Sequence, residues 1–75
     1  MNVQDLGKTL SDMYNKAPHG KQVAQIHLFG VKYAYIIQRN NYSVKDIIAA
    51  SGINPSYATE VSKGIKLSEY VVPKN

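Results

Sequence analysis

The sequence of 75 residues has no cysteine, a hydrophobic fraction of 44% and a net charge of +4, and it predicts one small domain. A chain of this length buries only about 60% of the surface that its unfolded form exposes, and it lacks cysteines for a disulfide or a cysteine-based zinc site. The apolar content excludes a wholly disordered chain, and the modest positive charge fits an anionic partner without identifying one.

The amino-terminal residues, MNVQDLGKTL, contain an acid and lack the apolar segment of a secretory signal. No apolar run approaches the roughly 18 residues that a membrane-spanning helix requires. We therefore expect a cytoplasmic protein with no membrane partner.

The first half of the chain predicts two helices. Residues 3–16 carry apolar side chains at helical spacing, and the Pro- and Gly-containing stretch at 16–21 separates them from the next element. A second helix over 22–38 has a broad apolar face, which marks it as the central helix of the core. Gly30 in its middle costs roughly 1 kcal/mol relative to alanine, so we expect another helix to cross closely there. The stretch at 39–42 ends this second helix.

A third, short helix follows Ser43. Ser43 is a candidate N-cap, with Asp46 three residues later as an aspartate variant of the capping box. The carboxylate of Asp46 also suits the positive end of the helix dipole. Gly52 then permits the positive φ of a sharp turn.

A fourth helix is predicted from the residues after that turn. Asn54 can cap it, and Pro55 fits its first position, where a missing N–H group does no harm. Gly64 is expected to end it in a left-handed conformation. The tail at 65–75 is ambiguous between a short strand and a further helical turn.

The third and fourth helices together have the pattern of a helix-turn-helix. Ile47 and Ile48 would pack on the core, Ile53 would fill the inside of the turn, and Ala58 and Val61 lie three residues apart on the inner face of the fourth helix. In this motif the second helix lies in the major groove of DNA. The predicted fold is therefore all-α, a small bundle of about four helices with a short C-terminal strand or turn. As a single domain it would consist of supporting helices (1–42), the helix-turn-helix (43–64) and the tail (65–75).

The segment SVKDIIAASGINPSYATEVSKGIK, residues 43–66, resembles the helix-turn-helix of Cro and phage-repressor DNA-binding domains. Two positions depart from that pattern: Ile48 stands where the family has alanine, and Ala58 stands where it has a branched apolar residue. The family also has one helix before the motif, whereas two are predicted here. The matching residues are Gly52, Ile53, Asn54, Ser56, Tyr57, Val61, Lys63 and Gly64.

The motif assigns hypothetical DNA contacts by position. The hydroxyls of Ser56 and Thr59 would bond base edges or phosphates. Asn54 would cap the helix and reach a phosphate, and Lys45 and Lys63 would contact the DNA backbone. The proline offers apolar contact, the tyrosine could lie against sugar-phosphate or the core, and the glutamate could accept from cytosine N4 but would repel phosphate. The candidates are Lys45, Asn54, Pro55, Ser56, Tyr57, Thr59, Glu60 and Lys63.

Other site chemistries find little support in the sequence. The five acids are scattered and offer no oriented base or metal cluster for catalysis. His19 and His27 are eight residues apart and lack further ligands, whereas a metal site needs three or four. We expect no enzyme activity, no metal, no cofactor and no small-molecule substrate.

The expected partners are duplex DNA and a second copy of the chain. A single weakly charged motif should bind weakly, and a homodimer joined through Leu67 and residues 70–72 would read two half-sites. Such a protein would be a small transcriptional regulator, or the DNA-targeting module of a restriction or mobile-element system. The alternative is a protein-interaction module that has the same fold without DNA binding.

Overall fold

A computed structural model describes residues 1–74 as a bundle of four α-helices. The predicted all-α fold is confirmed, and the boundaries of the first three helices lie within one residue of those expected. A single 3-10 turn, Pro55–Tyr57, precedes the fourth helix. The helices are α1 (Val3–Lys16), α2 (Gln22–Arg39), α3 (Val44–Ser51) and α4 (Ala58–Leu67).

Side-chain caps fix the starts of α1 and α3. Asn2 and Asp5 form a complete capping box at α1, with the Asp5 N–H donating to Asn2 Oδ1 at 2.8 Å. The Ser43 hydroxyl accepts from the Asp46 N–H at 3.4 Å, so Ser43 is the N-cap of α3 as predicted. Within residues 1–74, however, the return bond to the Asp46 carboxylate is not made. Only one half of the expected box is therefore present at α3.

The core is formed by apolar side chains from all four helices, which lie on the faces that the periodicity predicts. Phe29 of α2 occupies its centre with no exposed surface, and Tyr33 packs against it with ring centroids 5.2 Å apart. The most fully buried of the other core residues are Leu6, Leu10, Ile26, Ile47 and Val61.

Two close helix crossings set the architecture, α1 with α3 and α2 with α4. At the second, Gly30 faces Gly64, and a Cβ built on Gly30 would lie 2.8 Å from the Gly64 Cα. The expectation that a neighbouring helix crosses closely at Gly30 is confirmed. The expectation that Gly64 ends the fourth helix is wrong, because this glycine lies inside α4 and is small enough to let the two backbones meet.

The segment after α4 forms a turn at 68–70 and then irregular backbone to residue 74. No strand is present within 1–74, so the strand alternative for the tail is not realised. The Tyr70 N–H donates to the Leu67 carbonyl at 2.9 Å, a local bond that continues the chain direction of α4 for one more turn. No helix in the described part of the chain is long and apolar enough to cross a membrane.

Candidate nucleic-acid interface

The turn between α3 and α4 is built by three successive residues. Gly52 ends α3 in the left-handed conformation with φ of 76°, as predicted. The buried Ser51 hydroxyl donates to the Ile48 carbonyl at 2.6 Å and accepts from the Ile53 N–H at 3.2 Å. Ile53 packs partly buried against the core. Ser51, which the sequence pattern did not single out, ties both sides of the turn to one side chain.

The start of α4 is capped by the asparagine that the sequence indicated. Asn54 Oδ1 accepts from the Ser56 N–H at 2.9 Å, and Pro55 stands at the first position of the 3-10 turn. This turn delays the α-helix itself to Ala58. Asn54, Pro55 and Ser56 are all exposed at the leading end of α4.

A stripe of exposed side chains runs along α4. We call it the outer stripe, and it consists of Thr59, Ser62, Lys63 and Lys66. Thr59 and Lys63 were predicted site residues, whereas Ser62 and Lys66 were not. Lys66 was missed because the helix was expected to end at Gly64, and continuation of α4 places Lys66 nearly two turns beyond Thr59 on the same side.

Lys45 lies beside this surface, at the start of α3. It lines a groove between α3 and α4 together with Pro55 and Ala58, and it is exposed. The structure therefore brings a cation from α3 next to the leading end of α4. The outer surface of the helix-turn-helix combines lysines with small hydroxyl side chains, a composition suited to phosphate contacts.

Tyr57 faces the protein interior more than the outer surface. It is partly buried, and its ring is tilted against Tyr14 of α1 with centroids 5.5 Å apart. This arrangement corresponds to the core alternative for Tyr57. The contact ties the start of α4 to α1, an element with which α4 has little other packing.

Glu60 has intramolecular partners for both oxygens of its carboxylate. Oε1 lies 2.7 Å from Nε2 of His27 on α2, and Oε2 lies 3.5 Å from Nζ of Lys63. The Glu60 side chain is 23% exposed. The hydrogen bond from His27, with a smaller contribution from Lys63, lowers the pKa of Glu60 below its ordinary value. The carboxylate is therefore ionised at neutral pH and turned toward α2.

His19 and His27 are not brought together with other metal ligands. Within residues 1–74 no three histidine or acidic side chains are grouped so that they could hold a metal ion. His19 is exposed in the loop after α1, and His27 makes the contact with Glu60.

The arrangement of α3, a tight glycine turn and α4 with a polar outer stripe is that of a helix-turn-helix. Residues 2–74 match the family described as HTH-like domain. The chain belongs to this HTH-like domain family. The match covers α1 and α2 as well as the motif, so the supporting helices are part of the family's fold. Neither the curated proteins nor the solved structures include a significant match to the sequence.

Membership of the HTH-like domain family indicates a DNA-binding helix-turn-helix protein. The narrower resemblance to Cro and phage repressors is not confirmed by this match. In this HTH-like domain the fourth helix packs on the second, which lies before the motif.

Proposed function

We propose that this HTH-like domain binds duplex DNA by placing α4 in the major groove, as a small transcriptional regulator or as the DNA-targeting module of a larger system. The single observation that carries the proposal is the outer stripe, a solvent-facing row of hydroxyl and lysine side chains on the second helix of the motif. Phosphate contacts give such a protein its affinity, and contacts to base edges give it specificity.

The proposed contacts divide by position along the surface. Lys45, Lys63 and Lys66 would bind phosphates, because their ammonium groups are exposed around α4. Ser56 and Thr59 near the start of α4 would approach base edges, with Asn54 and Pro55 beside them. Tyr57 and Glu60 would act from within the protein, since each has a partner there.

The test is a titration with random-sequence duplex DNA at low and at physiological salt. DNA binding predicts an affinity that falls steeply as salt rises, with a slope proportional to the number of neutralised phosphates. Lys63→Ala should reduce that slope by about 0.9 and weaken binding uniformly across sequences. Lys8→Ala is the matched control, because Lys8 is an exposed lysine of α1 and its loss changes the net charge equally.

The alternative function is a protein-interaction module with the same fold. It is favoured by one observation, the exposure of the apolar side chains Tyr70 and Val72, which are 82% and 88% exposed. Such a module would show no DNA binding even at low salt. Lys63→Ala and Lys8→Ala variants with identical salt slopes would likewise contradict the assignment of α4 as the contacting helix.

A further inference from the structure

The contact between His27 and Glu60 joins the central helix of the core to the helix proposed to bind DNA. The two residues are 33 positions apart in the chain, and their side-chain atoms are 2.7 Å apart. Because an ionised carboxylate only accepts hydrogen bonds, His27 Nε2 carries the proton that it donates. Both side chains are partly exposed, at 32% and 23%, so the contact lies at the border between the core and the outer stripe.

Glu60 is the only acidic residue of α4, and it stands next to Lys63 on the helix surface. A carboxylate on a helix that lies in the major groove repels phosphates, and it competes with them for a neighbouring ammonium group. The geometry already shows this competition, because the same carboxylate reaches both His27 and Lys63.

We propose that His27 is a positioning residue for DNA binding: it holds the Glu60 carboxylate against α2 and so weakens the competition of that carboxylate with phosphate for Lys63. The proposal rests on the proposed DNA-binding function and adds a residue that does not touch DNA. Without His27, Lys63 is the remaining partner of Glu60, and the two charges neutralise each other at the centre of the outer stripe. With His27 in place, one oxygen of the Glu60 carboxylate accepts a hydrogen bond from the imidazole of α2.

The experiment measures affinity for random-sequence duplex DNA in a double-mutant cycle at low salt. His27→Ala should weaken binding by about threefold, the size expected for one partly screened charge interaction. Glu60→Gln should tighten binding, and it should abolish the effect of His27→Ala in the double variant. A packing role for His27 would give no such rescue, because the glutamine does not restore the lost imidazole ring.

A conservative variant supplies the second measurement. His27→Gln keeps a hydrogen-bond donor near the position of Nε2, so it should bind DNA like the wild type, whereas His27→Ala should bind more weakly. His19→Ala is the control, since His19 is exposed in the loop after α1, and it should leave the affinity unchanged.

The outcomes separate this inference from the proposed function. If the wild-type protein does not bind DNA at low salt, both fail. If it binds but His27→Ala has unchanged affinity, or Glu60→Gln does not rescue the double variant, the inference alone is overturned. A loss of affinity in His27→Gln equal to that in His27→Ala would also overturn it. Circular dichroism of each variant verifies folding, and His27→Leu, which fills a similar space without a donor, replaces His27→Ala in the cycle should that variant fail to fold.

Discussion

Ser51 stabilises the turn of the helix-turn-helix through a single hydroxyl. Its Oγ bonds the Ile48 carbonyl and the Ile53 N–H, and only 8% of the residue is exposed. Ser51→Ala removes the acceptor of a partly buried N–H, so we expect the free energy of unfolding in urea to fall by about 1–2 kcal/mol. Ser62→Ala, at an exposed position of α4, should change it by less than about 0.5 kcal/mol. Equal effects of the two substitutions would contradict the role of Ser51.

At the residue scale, the sequence predicted the local signals and missed the long-range ones. Ser43, Gly52 and Asn54 could be placed because caps and positive φ depend on neighbours within a few residues. The bond between His27 and Glu60 could not, because it depends on how α2 crosses α4. Ser51 was missed for a related reason: its type fits a helix end, a turn or a surface equally well.

The crossing of α2 and α4 depends on the pair Gly30 and Gly64. Replacing a glycine inside a helix by alanine normally raises the free energy of unfolding by about 1 kcal/mol. At Gly64 the new Cβ would meet the backbone of His27 and lie 2.9 Å from the Gly30 Cα. We therefore expect Gly64→Ala to lower the free energy of unfolding by about 1–3 kcal/mol, as overpacking does.

Whether Gly64→Ala lowers or raises the free energy of unfolding decides whether the close helix crossing requires Gly64. Thermal and urea unfolding of Gly64→Ala and of Ser62→Ala provide the comparison, since both substitutions place alanine in α4. A gain in stability for Gly64→Ala would show that the two helices can separate without cost, and it would contradict the close crossing.

At the scale of elements, periodicity placed all four helices, and the errors arose where one residue type has two uses. Gly64 was interpreted as a helix end because glycine commonly ends helices, but glycine also permits close approach of backbones. For the tail the sequence left a short strand and a further helical turn open, and the strand alternative followed the β-branched and aromatic side chains of 70–72. No neighbouring strand is available in the described chain to pair with them, so propensity alone could not form a sheet.

At the scale of the whole molecule, five of the seven large apolar side chains exposed in the described chain belong to the segment 67–72 or to Tyr35 of α2, which shares a groove with that segment. We call this set the apolar patch, and it consists of Tyr35, Leu67, Tyr70, Val71 and Val72. Tyr35, Val71 and Val72 line one groove between α2 and the tail. The outer stripe of α4 ends beside Leu67, where the patch begins. A dimer through the patch would therefore bring two α4 helices toward a common axis.

The dimensions of the protein suit two adjacent half-sites. The protomer measures 32 × 26 × 21 Å, and successive major grooves on one side of DNA are about 34 Å apart. The longest dimension of the protomer is therefore close to this spacing. Dimerisation would also double the number of phosphate contacts, which a chain with a net charge of +4 needs for firm binding at physiological salt.

The homodimer is tested by the substitution Val72→Asp. Val72 is 88% exposed, so the change leaves the core intact, but it places a carboxylate in the centre of the proposed contact. We expect sedimentation equilibrium to show a dimer for the wild type. The affinity between protomers of the variant should be at least about tenfold weaker, because a buried unpaired charge is costly. Val23→Asp makes the same charge change at an exposed valine in the first turn of α2, and it should remain dimeric. A wild-type protein that stays monomeric at high concentration, or equal self-association of the two variants, would show that the apolar patch does not join two copies of the chain.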